Sequence, residues 1–155
     1  MNWQYVKHLF EWDGSWRDIY ISNADAALCQ RVIDAVRSRY TTHYQEDGER
    51  KPFPQSITIV VDRRDEVTPC LSIYIEGIRI NFHFFTPDEI EFDIDPREVD
   101  SEEKFAALTE FMRCIGQQSE RDVVLAPEGG AEREEMLIAY HPQNDSWKHA
   151  ETFVG

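Results

Sequence analysis

Basic residues are scarce in this chain. Sixteen lysines and arginines stand against 30 aspartates and glutamates, for a formal net charge of −14 and a pI near 4.7. Binders of nucleic acid or anionic membrane neutralise phosphates with clustered Lys and Arg, and no basic run is present to do so. Neither kind of partner is expected. Cysteine is sparse as well: Cys29, Cys70 and Cys114 are an odd set without paired spacing. They read as reduced, mostly buried thiols rather than a disulfide framework. No apolar run approaches 18 residues, so no membrane span is expected. The first residues lack a basic-then-apolar leader, and the expected location is the cytoplasm.

Signatures of chemistry are missing too. Glu128-Gly129-Gly130 lacks the strand–GxxxxGK–helix frame of a phosphate loop. His8, His43, His83, His141 and His149 have no ligand spacing with one another or with the cysteines, which argues against zinc. Asp93-Ile94-Asp95 puts two carboxylates on one face of a strand, but calcium or magnesium needs six or more oxygens and no such loop follows. Ser15 has no nucleophile-elbow context. Paired carboxylates for acid–base work would need a cleft that raises the pKa of one of them. The expectation is therefore no catalytic residue, no metal and no cofactor. One pair stands out, Cys70 and His83, which face each other in the hairpin described below. Without a helix N-terminus or a cation beside the thiol, they form an ordinary cross-strand polar pair.

What is present describes a folded domain. Hydrophobic residues make up 41% and aromatics 12% of 155 positions, enough for one core and too many for a disordered chain. Leu71, Ile73 and Ile75 mirror Ile78, Ile80 and Phe82 across Glu76-Gly77, so a two-residue hairpin would place all six on one face. The opposite face would carry Ser72, Tyr74, Arg79, Asn81 and His83. Ile57–Val61 is β-branched and reads as a strand, Thr41–Pro54 as a long polar loop, and Trp3–Trp12 as the first arm of a hairpin turning at Asp13-Gly14. Helical spacing covers Leu28, Val32, Val36 and Tyr40 after the Ser22–Asp25 start. It returns at Phe105, Leu108, Met112 and Ile115, between the Ser101 cap and Gly116. Val123–Leu125 and Met136–Tyr140 read as final strands joined through Pro127–Glu135.

The expected fold is one α+β domain over residues 1–155. Its mainly antiparallel sheet has a meander at about 57–95, an N-terminal hairpin and C-terminal strands. Two helices, about 24–40 and 101–116, pack on the apolar face.

Negative charge concentrates between Thr86 and Glu110, where ten carboxylates meet only Arg97 and Lys104. Ile90, Phe92 and Ile94 alternate with Glu91, Asp93 and Asp95, the pattern of a strand with one buried face. The acids of Asp100–Glu103 suit a helix N-terminus. Asp88, Glu89, Glu91, Asp93, Asp95 and Glu98 remain as a candidate steering surface for a basic protein partner. The plainer reading of the same charge is solubility. Trp16 and Tyr44 are candidate aromatic anchors; Trp12 and Trp16 could equally lock a turn onto the core.

Two stretches carry a family likeness: Glu11-Trp12-Asp13-Gly14-Ser15-Trp16-Arg17-Asp18-Ile19-Tyr20, and Phe111–Gly116 followed by Asp122-Val123-Val124-Leu125-Ala126-Pro127-Glu128. They resemble small acidic bacterial proteins with a W-D-G-S-x-R-D-I-Y opening, similar to the immunity proteins that accompany polymorphic toxins. The resemblance implies an α+β inhibitor that binds one cognate toxin domain. A monomer or homodimer is expected. Both stretches also read as structural, with Asp13-Gly14 a turn and Gly116 a helix cap. Two other classes stay open: a module that self-assembles through a free strand edge of the meander, and a small enzyme, which would need a concave pocket with convergent ionisable groups.

Overall fold

The computed structural model describes residues 1–86, 88–129 and 135–151. Thus Pro87 of the expected turn, residues 130–134 of the expected loop and the last four residues lie outside the described part. Among the described residues nine antiparallel strands form one sheet: β1 (Arg17–Ile21), β2 (Thr41–Glu46), β3 (Glu49–Arg50), β4 (Pro69–Ile75), β5 (Ile78–Phe82), β6 (Ile90–Ile94), β7 (Val123–Pro127), β8 (Ile138–His141) and β9 (Ser146–His149). Their order is β3-β2-β4-β5-β6-β1-β7-β8-β9. Four α-helices accompany them among the described residues: α1 (Trp3–Val6), α2 (Ala26–Arg39), α3 (Ile57–Asp62) and α4 (Glu102–Ser119). The α+β class and the helices on the apolar face are as expected.

The central hairpin has the expected register, with Leu71 opposite Phe82, Ile73 opposite Ile80 and Ile75 opposite Ile78. Glu76 and Gly77 both have positive φ, 47° and 82°, the combination that matches the twist of a two-residue hairpin. All six apolar side chains are buried. They join Ile19, Ile21, Ile90, Phe92 and Ile94 in one cluster with Leu28, Val32, Ile33 and Val36 of α2 and Phe105, Leu108, Phe111, Met112 and Ile115 of α4. Asp25 and Ser101 cap these two helices by accepting the N–H groups of Leu28 and Lys104.

Four expectations are corrected. Trp3–Phe10 is not a strand: α1 is capped by Asn2, a 3-10 turn follows over Lys7–Phe10, and Val6, Leu9 and Phe10 are buried. The spacing of those three residues is helical. There is accordingly no N-terminal hairpin; β1 lies mid-sheet between β6 and β7. Ile57–Val61 is helix α3, because Ile57 and Val60 pack inward one turn apart and the Ile57 N–H donates to Gln30 Oε1 at 2.7 Å. The meander therefore begins at Pro69. The supposed loop at Thr41–Pro54 holds the β2–β3 hairpin, turned by Asp47 and Gly48 with φ of 53° and 80°. Gly116 does not end α4. A Cβ there would stand 2.6 Å from the Tyr140 ring, so this glycine permits close packing, and Glu120 in the left-handed region closes the helix.

The edges bear on self-assembly. β4 is covered by β2 and β6 by β1, so the meander has no free edge. The outermost strands are the two-residue, charged β3 and the four-residue β9, both short as protected edges are.

Candidate functional site

Among the described residues the helices pack on one face of the sheet and leave the other open, and the register aligns polar side chains across it. Ser72 faces Asn81, Asn81 faces Asp93, and Asp93 faces Asp18. A hydrogen-bond chain follows that row. Arg79 Nε donates to Asn81 Oδ1 at 3.0 Å and to Ser72 Oγ at 3.3 Å, and Ser72 Oγ donates to Asn81 Oδ1 at 3.2 Å. Asn81 Nδ2 donates to Asp93 Oδ1 at 3.0 Å, and His83 Nε2 lies 2.8 Å from Asp93 Oδ2. Hydrogen bonds to Asp93, then to Cys70, raise the His83 pKa to about 10 against the opposing effect of burial. The imidazole is therefore charged at neutral pH and donates to Asp93.

That pair gives a pH prediction. The folded pKa of His83 lies above its ordinary 6.5, so its contribution to stability is full below about 6.5 and is lost as pH rises through about 10. In urea unfolding, wild type should exceed His83→Gln most at pH 6 and converge with it above pH 10. A gap that does not change with pH would contradict the assignment.

Around this row lies a cleft of about 460 Å³ lined by Trp16, Cys70, Arg79, His83, Asp93 and Glu128. Glu128 Oε2 accepts the Trp16 N–H at 3.1 Å, tying the end of β7 to the start of β1. Aromatic rings rim the open face. Tyr74, 40% exposed, packs on His43 with ring centroids 5.1 Å apart, and Phe85, 57% exposed, stacks on His83 at 5.0 Å. Arg97 sits 3.7 Å above the ring of Trp12.

The predicted steering acids are dispersed in role. Asp88 is exposed, while Glu89 and Glu91 are half-buried. Asp93 belongs to the network above. Asp95 caps a 3-10 turn at Pro96–Glu98 and pairs with Arg97 at 2.9 Å; the hydrogen bonds from Arg97 hold its carboxyl below the ordinary value. Glu98 Oε1 accepts the backbone N–H of Arg79 at 3.1 Å. Two acids of the row, Asp93 and Asp95, thus each come with their own cation. Trp16 is half-buried in the cleft. Tyr44 is 3% exposed, packs against Phe53 and Phe84, and donates its hydroxyl to buried Glu46 at 2.9 Å. Its ring belongs to the core, which corrects the expectation of a surface anchor.

Sequence reasoning missed Asp18, Phe85 and Glu128. Asp18 is 5% exposed on the open face, and its place follows only from β1 lying beside β6. Glu128 reaches Trp16 across 112 residues, which no local pattern reveals. Among the described residues no group of three or more His, Cys, Asp or Glu is arranged to hold a metal, and no helix is long and apolar enough to cross a membrane. No family model, curated protein or solved structure matches the chain.

Proposed function

We propose that the chain is a non-enzymatic cytoplasmic binding protein, an immunity protein that neutralises a cognate basic toxin domain through the open face of its sheet. The observation that carries this reading is the composition of that face. Exposed Tyr74, exposed Phe85 stacked on His83, and half-buried Trp16 beside Arg79 in the cleft adjoin a hydrogen-bonded polar centre. Aromatic and arginine side chains around a desolvated centre are the composition of protein interfaces and their hot spots. The net charge of −14 supplies the long-range attraction for a basic partner. The test is genetic and biochemical. The neighbouring reading frame should encode a protein with a toxic C-terminal domain, and co-expression of this chain should protect cells from that domain. Protection should weaken in Tyr74→Ala/Phe85→Ala; full protection by that variant would remove the open face from the reading.

A second reading, a small thiol enzyme, is favoured by one observation: Cys70, His83 and Asp93 converge in the cleft. Cys70 Sγ would add to an acyl carbon while the thiol proton, relayed through the His83 imidazolium, leaves with the departing group, and water would then hydrolyse the thioester, releasing the acid and returning a proton to the sulfur. Iodoacetamide discriminates the two. The enzyme reading expects Cys70 to alkylate about tenfold faster than Cys29, whose thiol burial pushes up to about 12, and expects His83→Gln to slow it. If Cys70 reacts only on unfolding, the enzyme reading falls.

A further inference from the structure

A second cavity lies on the helical side of the sheet, away from the open face. It has a volume of about 180 Å³ and sits between α2, α3 and the segment after β5. Its floor is Cys29, Ile57, Phe82 and Phe84, each at most 5% exposed, and the exposed residues Thr58 and Thr86 stand at its rim. A buried water needs two to four polar partners, and the Cys29 thiol is the only polar side-chain group on that floor. Burial alone raises this thiol to about 12, as expected of apolar surroundings.

The wall is preformed. Phe84 is held at φ 61°, a left-handed conformation that is unfavourable for a bulky residue and persists only where the surroundings fix it. What fixes it here is an aromatic cluster: its ring lies 4.4 Å from that of Phe82 and 6.3 Å from those of Tyr44 and Phe53. The space therefore does not close by collapse of the Phe84 side. An apolar cavity of roughly 150 Å³ is large enough to hold benzene.

We propose that this cavity is a binding site for a small neutral apolar molecule, about the size of a six-membered ring or a short alkyl segment. The site is independent of the partner-binding reading and stands or falls by itself.

The test uses the full chain with benzene as probe. At about ten times the dissociation constant, bound benzene should raise the melting temperature by about 3 °C. Nuclear Overhauser contacts should run from benzene to the Ile57 methyls and the Phe84 ring. Val61→Phe, from the cavity lining, should fill the space and abolish both signals. Ala26→Leu, at an exposed lining position, should do the same if Val61→Phe does not fold. Thr86→Val keeps the volume and should keep the shift. Absence of a shift in wild type overturns the proposal, as does a shift that survives the filling variant.

Discussion

Arg17→Met is expected to lower the unfolding free energy by about 3–5 kcal/mol and the melting temperature by about 10 °C. Arg17 is fully buried on the core side of β1. Its guanidinium donates from Nε to Leu9 O at 3.0 Å, from Nη2 to Glu11 O at 3.0 Å, and from Nη1 to Ser15 O at 3.0 Å, Trp16 O at 3.3 Å and Asp13 Oδ1 at 3.1 Å. One side chain thus gathers four carbonyls, those of Leu9, Glu11, Ser15 and Trp16. Buried ion pairs are often replaceable by apolar residues, but that requires both partners to be replaced. Here the acceptors are mostly backbone carbonyls, which no substitution removes; those of Leu9, Glu11 and Ser15 would lose the guanidinium donor, while Trp16 O keeps the Glu128 N–H at 3.2 Å. Arg17→Lys keeps the charge and loses the planar fork, so it should fall between wild type and Arg17→Met. Thermal unfolding of the three proteins checks the order. A melting temperature for Arg17→Met within about 2 °C of wild type would show that water or a rearranged loop replaces the guanidinium.

The same cluster explains the W-D-G-S-x-R pattern without any catalytic role. Asp13 Oδ1 accepts from Ser15 N at 3.0 Å and from Ser15 Oγ at 2.8 Å, and Arg17 binds over that turn. Burial works to raise the Asp13 pKa, but the Ser15 and Arg17 hydrogen bonds hold it below the ordinary value. The motif is a device for holding the N-terminal helical segment against the core, where Phe10 meets Phe105 at 5.8 Å.

Much of this was legible from spacing alone. The hairpin of β4 and β5, the acidic strand β6 and the helices α2 and α4 follow from local periodicity with caps and turns in the right places. What was not legible required tertiary context. The β-branched run Ile57–Val61 has a strand's composition, yet it is helical because a six-residue segment is decided by its contacts with α2 and Gln30. Asp47-Gly48 is a hairpin turn in sequence as well as in structure, but the polar strands around it carry no alternation to flag them. At the candidate site, alternation put Arg79, Asn81, His83 and Asp93 on the open faces of their strands. Only the sheet order brings Asp18, Trp16 and Glu128 beside them. The acidic row also changed meaning, since charge counting does not reveal that His83 and Arg97 accompany Asp93 and Asp95.

That change selects the residues for the second large effect. Asp93 holds the polar network together, so reversing its charge would confound binding with folding. Asp88→Lys/Glu91→Lys instead alters the field by four charges and keeps Asp93 with its Asn81 and His83 hydrogen bonds. Steered association responds mainly in its on-rate, whereas aromatic truncation responds mainly in its off-rate. The double reversal is expected to slow association with the basic toxin domain about tenfold. Tyr74→Ala should leave the on-rate within about twofold and hasten dissociation.

The most direct test of the open face as a partner-binding surface, with encounter steered by the net charge of −14, is the association rate with the proposed basic domain, measured by stopped flow from 50 to 500 mM salt. The account predicts a fall of about tenfold or more over this range, with a shallower slope for Asp88→Lys/Glu91→Lys. A rate that is flat in salt and unchanged by the double reversal would contradict it, and the charge of −14 would then serve solubility alone.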